Sequence, residues 1–144
     1  MGLARQLEKR GRSIGHPLKN SFGILTPDFQ AIEAKGLKKF LGEDRFKPAD
    51  LSKSLGVART TLYEKRIKVS HEFIKDKLIP IALSAELAAE LLEDMEKGRL
   101  WVLTPNSYFF GKSPFEMCLL GDGKAVLELL QARLGELSGE EKDR

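Results

Sequence analysis

The sequence predicts an all-α protein: a helix-turn-helix DNA-binding domain followed by a smaller helical domain. Three observations carry this. Apolar residues recur at three- and four-residue intervals between capping residues, no stretch alternates as a strand would, and Gly56 stands in a tight turn between two short helical segments.

Residues 1–25 mix Gly, Ser, Pro and basic side chains without periodicity and read as a flexible basic arm, with at most a short helix near Leu3 to Lys9. A helix is then expected from Thr26 as N-cap, through Pro27 in its first turn, to Leu41, with Phe29, Ile32, Leu37, Phe40 and Leu41 as its apolar positions and Gly42 closing it. The next runs from Pro48 to Leu55. Gly56 tolerates the left-handed backbone of the turn, and a third helix is expected from Arg59 to Ile67, with Leu51, Leu55, Val57 and Leu62 joining the two and Ser52 leaving room for close approach. Lys65 falls where an apolar residue would pack, which leaves that task to Ile67.

Ser70 is expected to cap a helix carrying Phe73, Ile74 and Leu78, until Pro80 kinks or ends it and sets a domain boundary. Ser84 would cap the next helix to Lys97, with Leu87, Ala88, Leu91, Leu92 and Met95 on its apolar face and Gly98 as its stop. Thr104-Pro105-Asn106 cannot continue a helix, so Tyr108, Phe109 and Phe110 belong to an ordered connection. Ser113-Pro114-Phe115-Glu116 reads as N-cap, first-turn proline and capping-box glutamate of a further helix. The domains are therefore 1–25 (arm), 26–83, 84–137 and an acidic tail, 138–144.

Composition narrows the function. With 42% hydrophobic and 31% charged residues in 144, the chain is of the globular class, and no apolar run approaches the roughly 20 residues of a membrane span. No signal-peptide pattern opens it, so the cytoplasm is the expected location. One cysteine excludes an internal disulfide and a multi-Cys zinc site; Cys118 on an apolar helix is expected to be buried. His16 and His71 stand far apart without carboxylate partners and read as solvated or capping residues. No catalytic cluster or Gly-rich phosphate loop is present, so neither an enzyme, a cofactor nor a metal is expected.

Two segments carry binding chemistry instead. Around the expected third helix, Arg59, Thr60, Thr61 and Tyr63 are placed for base edges and phosphate, Lys65, Arg66 and Lys68 for phosphate, and Lys47 for a phosphate at a helix start. The basic arm could extend into a minor groove. The second segment is residues 101–121. Three adjacent aromatics cannot all face inward, so at least one of Tyr108, Phe109 and Phe110 should be exposed as an interface anchor, with Asn106 and Lys112 beside them and Trp101 and Phe115 in the core.

Trp101, Pro105-Asn106, Gly111, Ser113-Pro114 and Gly121 or Gly123, over residues 99 to 135, resemble the toxin-binding domain of the Xre/MbcA/ParS antitoxin family. Arg59-Thr60-Thr61-Leu62 is similar to the Arg-x-Thr-Leu element of that family's helix-turn-helix, extending the resemblance to residues 46–135. The resemblance implies an antitoxin that neutralises a RES-domain toxin consuming NAD, represses its own operon at operator DNA, and assembles as a homodimer or larger hetero-oligomer. The alternative is a stand-alone transcriptional regulator whose C-terminal module mediates dimerisation.

Overall fold

A computed structural model describes residues 20–142 of the chain, with side chains to residue 137. In chain order the elements are β1 (Ile32–Glu33), α1 (Ala34–Leu41), α2 (Pro48–Leu55), a 3-10 helix (Arg59–Tyr63), β2 (Arg66–Ile67), α3 (His71–Phe73), a π-helical turn (Ile74–Leu78), α4 (Ile79–Leu92), α5 (Met95–Leu103), a second 3-10 helix (Ser107–Phe109), α6 (Pro114–Leu119) and α7 (Gly123–Lys142). The described chain is mostly helical, as predicted. Most of the expected basic arm, residues 1–19, and the side chains of the expected acidic tail lie outside the described residues, although the α7 backbone runs on to Lys142.

The first expected helix begins seven residues late, at Ala34 with Glu33 as its N-cap. Thr26 is buried, and its hydroxyl donates to Asp28 Oδ1 at 2.6 Å and accepts the Ala31 N–H at 3.2 Å, so it closes a loop instead of capping a helix. Phe29 lies in that loop at φ 56°, a conformation no right-handed helix contains. The β-branched Ile32 leaves the loop extended and pairs with Ile67, while Glu33 pairs with Arg66. Both isoleucines are buried.

That pairing also overturns the third expected helix. α2 forms as predicted, burying Leu51 and Leu55 and ending on Gly56 at φ 69°. The segment that follows is a five-residue 3-10 helix that stops at Tyr63, and Glu64 leaves it extended at ψ 152°. Leu62 is its one buried side chain. A helix continued to Ile67 would place Lys65 where an apolar residue must pack; as a strand, the chain instead delivers Ile67 to the core, and Ala34 N–H donates to the Lys65 carbonyl at 3.2 Å.

Neither Pro80 nor Ser84 interrupts the chain as expected. Ser70 caps the start, accepting the Phe73 N–H at 3.0 Å, and α3, the π turn and α4 then run on without a break. Pro80 has no N–H for the carbonyl of Asp76, and the wide π turn, which contains Asp76, absorbs that gap. The expected boundary between residues 83 and 84 therefore falls inside α4, where Ser84 is buried rather than a cap. A single core joins Leu37 and Phe40 through Ile81 and Ala85 to Val126 and Leu130.

α4 ends at Leu92, where Glu93 takes left-handed backbone, and Asp94 caps α5 by accepting the Lys97 N–H at 2.8 Å. Met95 is thus the first residue of α5, and it is exposed. Gly98, expected as a stop, lies buried within α5 against α4: a Cβ there would stand 2.5 Å from the Ala89 backbone nitrogen. Further along, Arg99 reaches from α5 to the end of α1, donating to the Phe40 carbonyl at 2.6 Å while Glu96 accepts from the same guanidinium. That hydrogen bonding holds the Glu96 carboxyl below its ordinary pKa.

Candidate functional site

The loop after α5 is fastened at both ends. Asn106 Oδ1 accepts the Tyr108 N–H at 2.9 Å, the Asn106 carbonyl accepts from Phe109 and Gly111 at 3.0 Å each, and its N–H donates to the Lys112 carbonyl at 3.1 Å. Asn106 and Lys112 so form an antiparallel bridge. One residue on, the predicted capping box is present: Ser113 Oγ accepts the Glu116 N–H at 3.1 Å, and Glu116 Oε1 accepts the Ser113 N–H at 3.2 Å.

Within this frame the three aromatics separate. Phe109 is buried, so the structure corrects its expected role: it anchors the loop to the core and offers a partner no surface. Tyr108 meets its ring edge-to-face with centroids 5.3 Å apart and is 60% exposed. Phe110 is 96% exposed and holds φ 56°, ψ 39°, a left-handed conformation that disfavours an L side chain by about 1–2 kcal/mol. An aromatic left in water on strained backbone gains nothing in the isolated chain, and such strain collects at functional sites. Asn106 and Lys112 frame the loop. Trp101 and Phe115, expected inside, are half-buried at the margin of the core.

On α6, Cys118 is buried, as expected. Burial pushes its thiol up to about 12, with a small opposing pull from the nearby Ser84 hydroxyl. Ser84 Oγ is itself buried without a hydrogen bond of good geometry, so this pull is proximity rather than a formed bond.

The second candidate surface lies in the basic half. Arg59, Thr60, Tyr63, Arg66 and Lys68 are exposed, Tyr63 by 75%, and Lys47 is exposed at the start of α2; Thr61 is half-buried. Arg66 lies on β2. Glu33 faces it across the strand pair, and its charge is the weakest of the influences, after the Thr26 hydroxyl and the Gln30 N–H, that hold the Asp28 carboxyl below its usual pKa. Sequence reasoning missed Lys53 on α2 and Lys35, Lys38 and Lys39 on α1, all exposed. Helical periodicity would have found the last three, since Leu37, Phe40 and Leu41 bury the opposite face.

Charge divides accordingly. Residues 34–77 hold twelve Lys and Arg against six Asp and Glu, whereas residues 78–137 hold five against nine. Among the described residues no three His, Cys, Asp or Glu side chains group as metal ligands, and no helix is long and apolar enough to cross a membrane. No protein-family model, curated protein or solved structure matches the chain.

Proposed function

We propose that this chain is the antitoxin of a toxin-antitoxin pair, in which residues 106–112 dock on a RES-domain toxin and the basic half binds DNA of its own operon. The observation that carries the reading is Phe110: an almost fully exposed aromatic, set on left-handed backbone, in a loop pinned by the Asn106–Lys112 bridge and by buried Phe109. A preformed loop loses little freedom when it binds, so burying that ring in a partner pocket contributes most of its roughly 1.5–3 kcal/mol of apolar transfer to affinity. The resemblance of residues 99–135 to the toxin-binding domain of Xre/MbcA/ParS antitoxins supplies the partner class. Blocking access to the toxin's NAD site is the inhibition that this implies.

A stand-alone regulator has one observation in its favour. Leu92, Met95 and Leu100, at the corner of α4 and α5 and along α5, are 39%, 47% and 40% exposed and could serve self-association. Co-expression with the reading frame adjacent to its gene, followed by size-exclusion chromatography, separates the two. A heteromeric complex that Phe110→Ala dissolves supports the antitoxin; a homodimer that forms no such complex and is indifferent to Phe110→Ala supports the regulator.

A further inference from the structure

If the basic half binds duplex DNA as proposed above, its reading element is the 3-10 helix Arg59–Tyr63, and that geometry restricts which side chains can meet bases. A 3-10 helix has three residues per turn, so side chains three apart share a row. The Arg59–Leu62 row is shared with the core, because Leu62 is buried, and only Arg59, at the helix start, is exposed in it. Thr61 is half-buried, and its carbonyl is taken by the Glu64 N–H at 3.1 Å. The remaining row, Thr60 and Tyr63, is exposed along its length.

Five residues at about 2 Å each give an element about 10 Å long, the length of roughly three stacked base pairs. Exposed Glu64 follows directly, and a carboxylate there is repelled by phosphate, so Glu64 itself makes no backbone contact. Cations flank the element in sequence. Lys53 is in the last turn of α2, beside the Gly56 turn, and Lys65 is on a backbone fixed by the Ala34 hydrogen bond; both are exposed.

We propose that Thr60 and Tyr63 are the specificity-determining pair of this surface, reading a core of two or three base pairs per copy, while Lys53 and Lys65 grip the flanking phosphates. Arg59, the most obvious base reader in the sequence, serves the rim. The threonine hydroxyl and methyl suit either a base edge or a thymine methyl, and the tyrosine offers a ring and a hydroxyl.

The test uses the full chain and two probes: the duplex upstream of its own gene and a shuffled duplex of equal length and composition, each titrated by fluorescence anisotropy over a salt series. Tyr63→Ala and Thr60→Ala should each shrink the preference for the upstream duplex at least fivefold, with the salt slope unchanged. Lys53→Gln and Lys65→Gln should weaken both duplexes alike and reduce the salt slope by about one, leaving the preference intact. Equal weakening of both duplexes by Tyr63→Ala and Thr60→Ala, or loss of preference in Arg59→Ala alone, overturns the assignment while leaving DNA binding in place. Failure of the unaltered chain to bind either duplex at low salt overturns it together with the DNA half of the proposed function. All these side chains but Lys53 and Lys65 lie on the 3-10 helix, and all are exposed, so circular dichroism of each variant should match the parent.

Discussion

Two short 3-10 helices, Arg59–Tyr63 and Ser107–Phe109, each bury one apolar side chain and present an aromatic at or just past their ends, yet their surroundings differ. Leu62 and Phe109 are the buried anchors; Tyr63 and Phe110 are the exposed rings. Around Tyr63 the surface is cationic, and the segment leads into a strand held by β1. Around Phe110 the half-molecule is net acidic, and the loop is closed on itself by backbone hydrogen bonds and a capping box. The first arrangement suits a charged ligand whose binding weakens with salt, the second an apolar pocket whose binding does not.

The largest effect that could break this contrast is at Phe110. Replacement by Ala removes the exposed ring without touching the core, and partner affinity should fall by about 2–4 kcal/mol, as at an interface hot spot. DNA affinity and the melting temperature should hardly move. Isothermal titration against the partner and anisotropy on DNA check this together; equal losses on both ligands would mean that the two surfaces are one.

Next in size is Gly98→Ala. The new methyl would stand 2.5 Å from the Ala89 nitrogen and 2.9 Å from its Cβ, so α5 must lift from α4, at about 1–3 kcal/mol of stability. Gly135→Ala is the control: nothing lies within 4 Å of its added Cβ, and a helical alanine there should be neutral or stabilising. Because α5 leads directly into the 106–112 loop while the 59–63 helix packs on α2, the proposed partner surface should suffer more than the proposed DNA surface. Thermal melts and the two binding assays, run below the variant's melting temperature, read this difference.

The same contrast explains what was legible in the sequence. The capping box at Ser113, the outward turn of at least one aromatic and the left-handed Gly56 were all written in local signals, and local hydrogen bonds realise them. The failures were non-local. Ile32 and Ile67 lie 35 residues apart, and each is strand only because the other is present; no window of either sequence contains that information. Gly98 followed a plausible stop pattern, and its packing role depends on Ala89 in another helix. Pro80 was read by its missing donor alone, whereas the π turn before it changes which donors are needed.

Phe110→Gly sharpens the contrast in the opposite direction. Glycine accepts left-handed backbone freely, so relief of the strain at φ 56° should stabilise the protein by up to about 1 kcal/mol, less the greater freedom of glycine in the unfolded chain. Partner binding should nevertheless be lost. A variant that melts no lower than its parent yet no longer binds identifies a residue kept for function at the expense of stability. A clear drop in melting temperature would instead show that the Phe110 ring packs in the folded chain.

The smallest effect concerns pH, and it belongs to the acidic half alone. Cys118 is raised from 9.0 to about 12 by burial, so the folded chain keeps the thiol protonated where the unfolded chain releases it. A group whose folded pKa is raised contributes stability below the unfolded value and loses it as pH climbs toward the folded one, here from about 9 upward. Between pH 8 and 10 the loss should be about 1 kcal/mol. The quantity to measure is a difference, which removes whatever the two proteins share: urea unfolding of the parent and of Cys118→Ala at both pH values. The alanine variant starts less stable, having lost packing beside Ser84 and Gly123, but it should lose about 1 kcal/mol less over the interval. Parallel losses in the two proteins would mean that the thiol is accessible in the folded state.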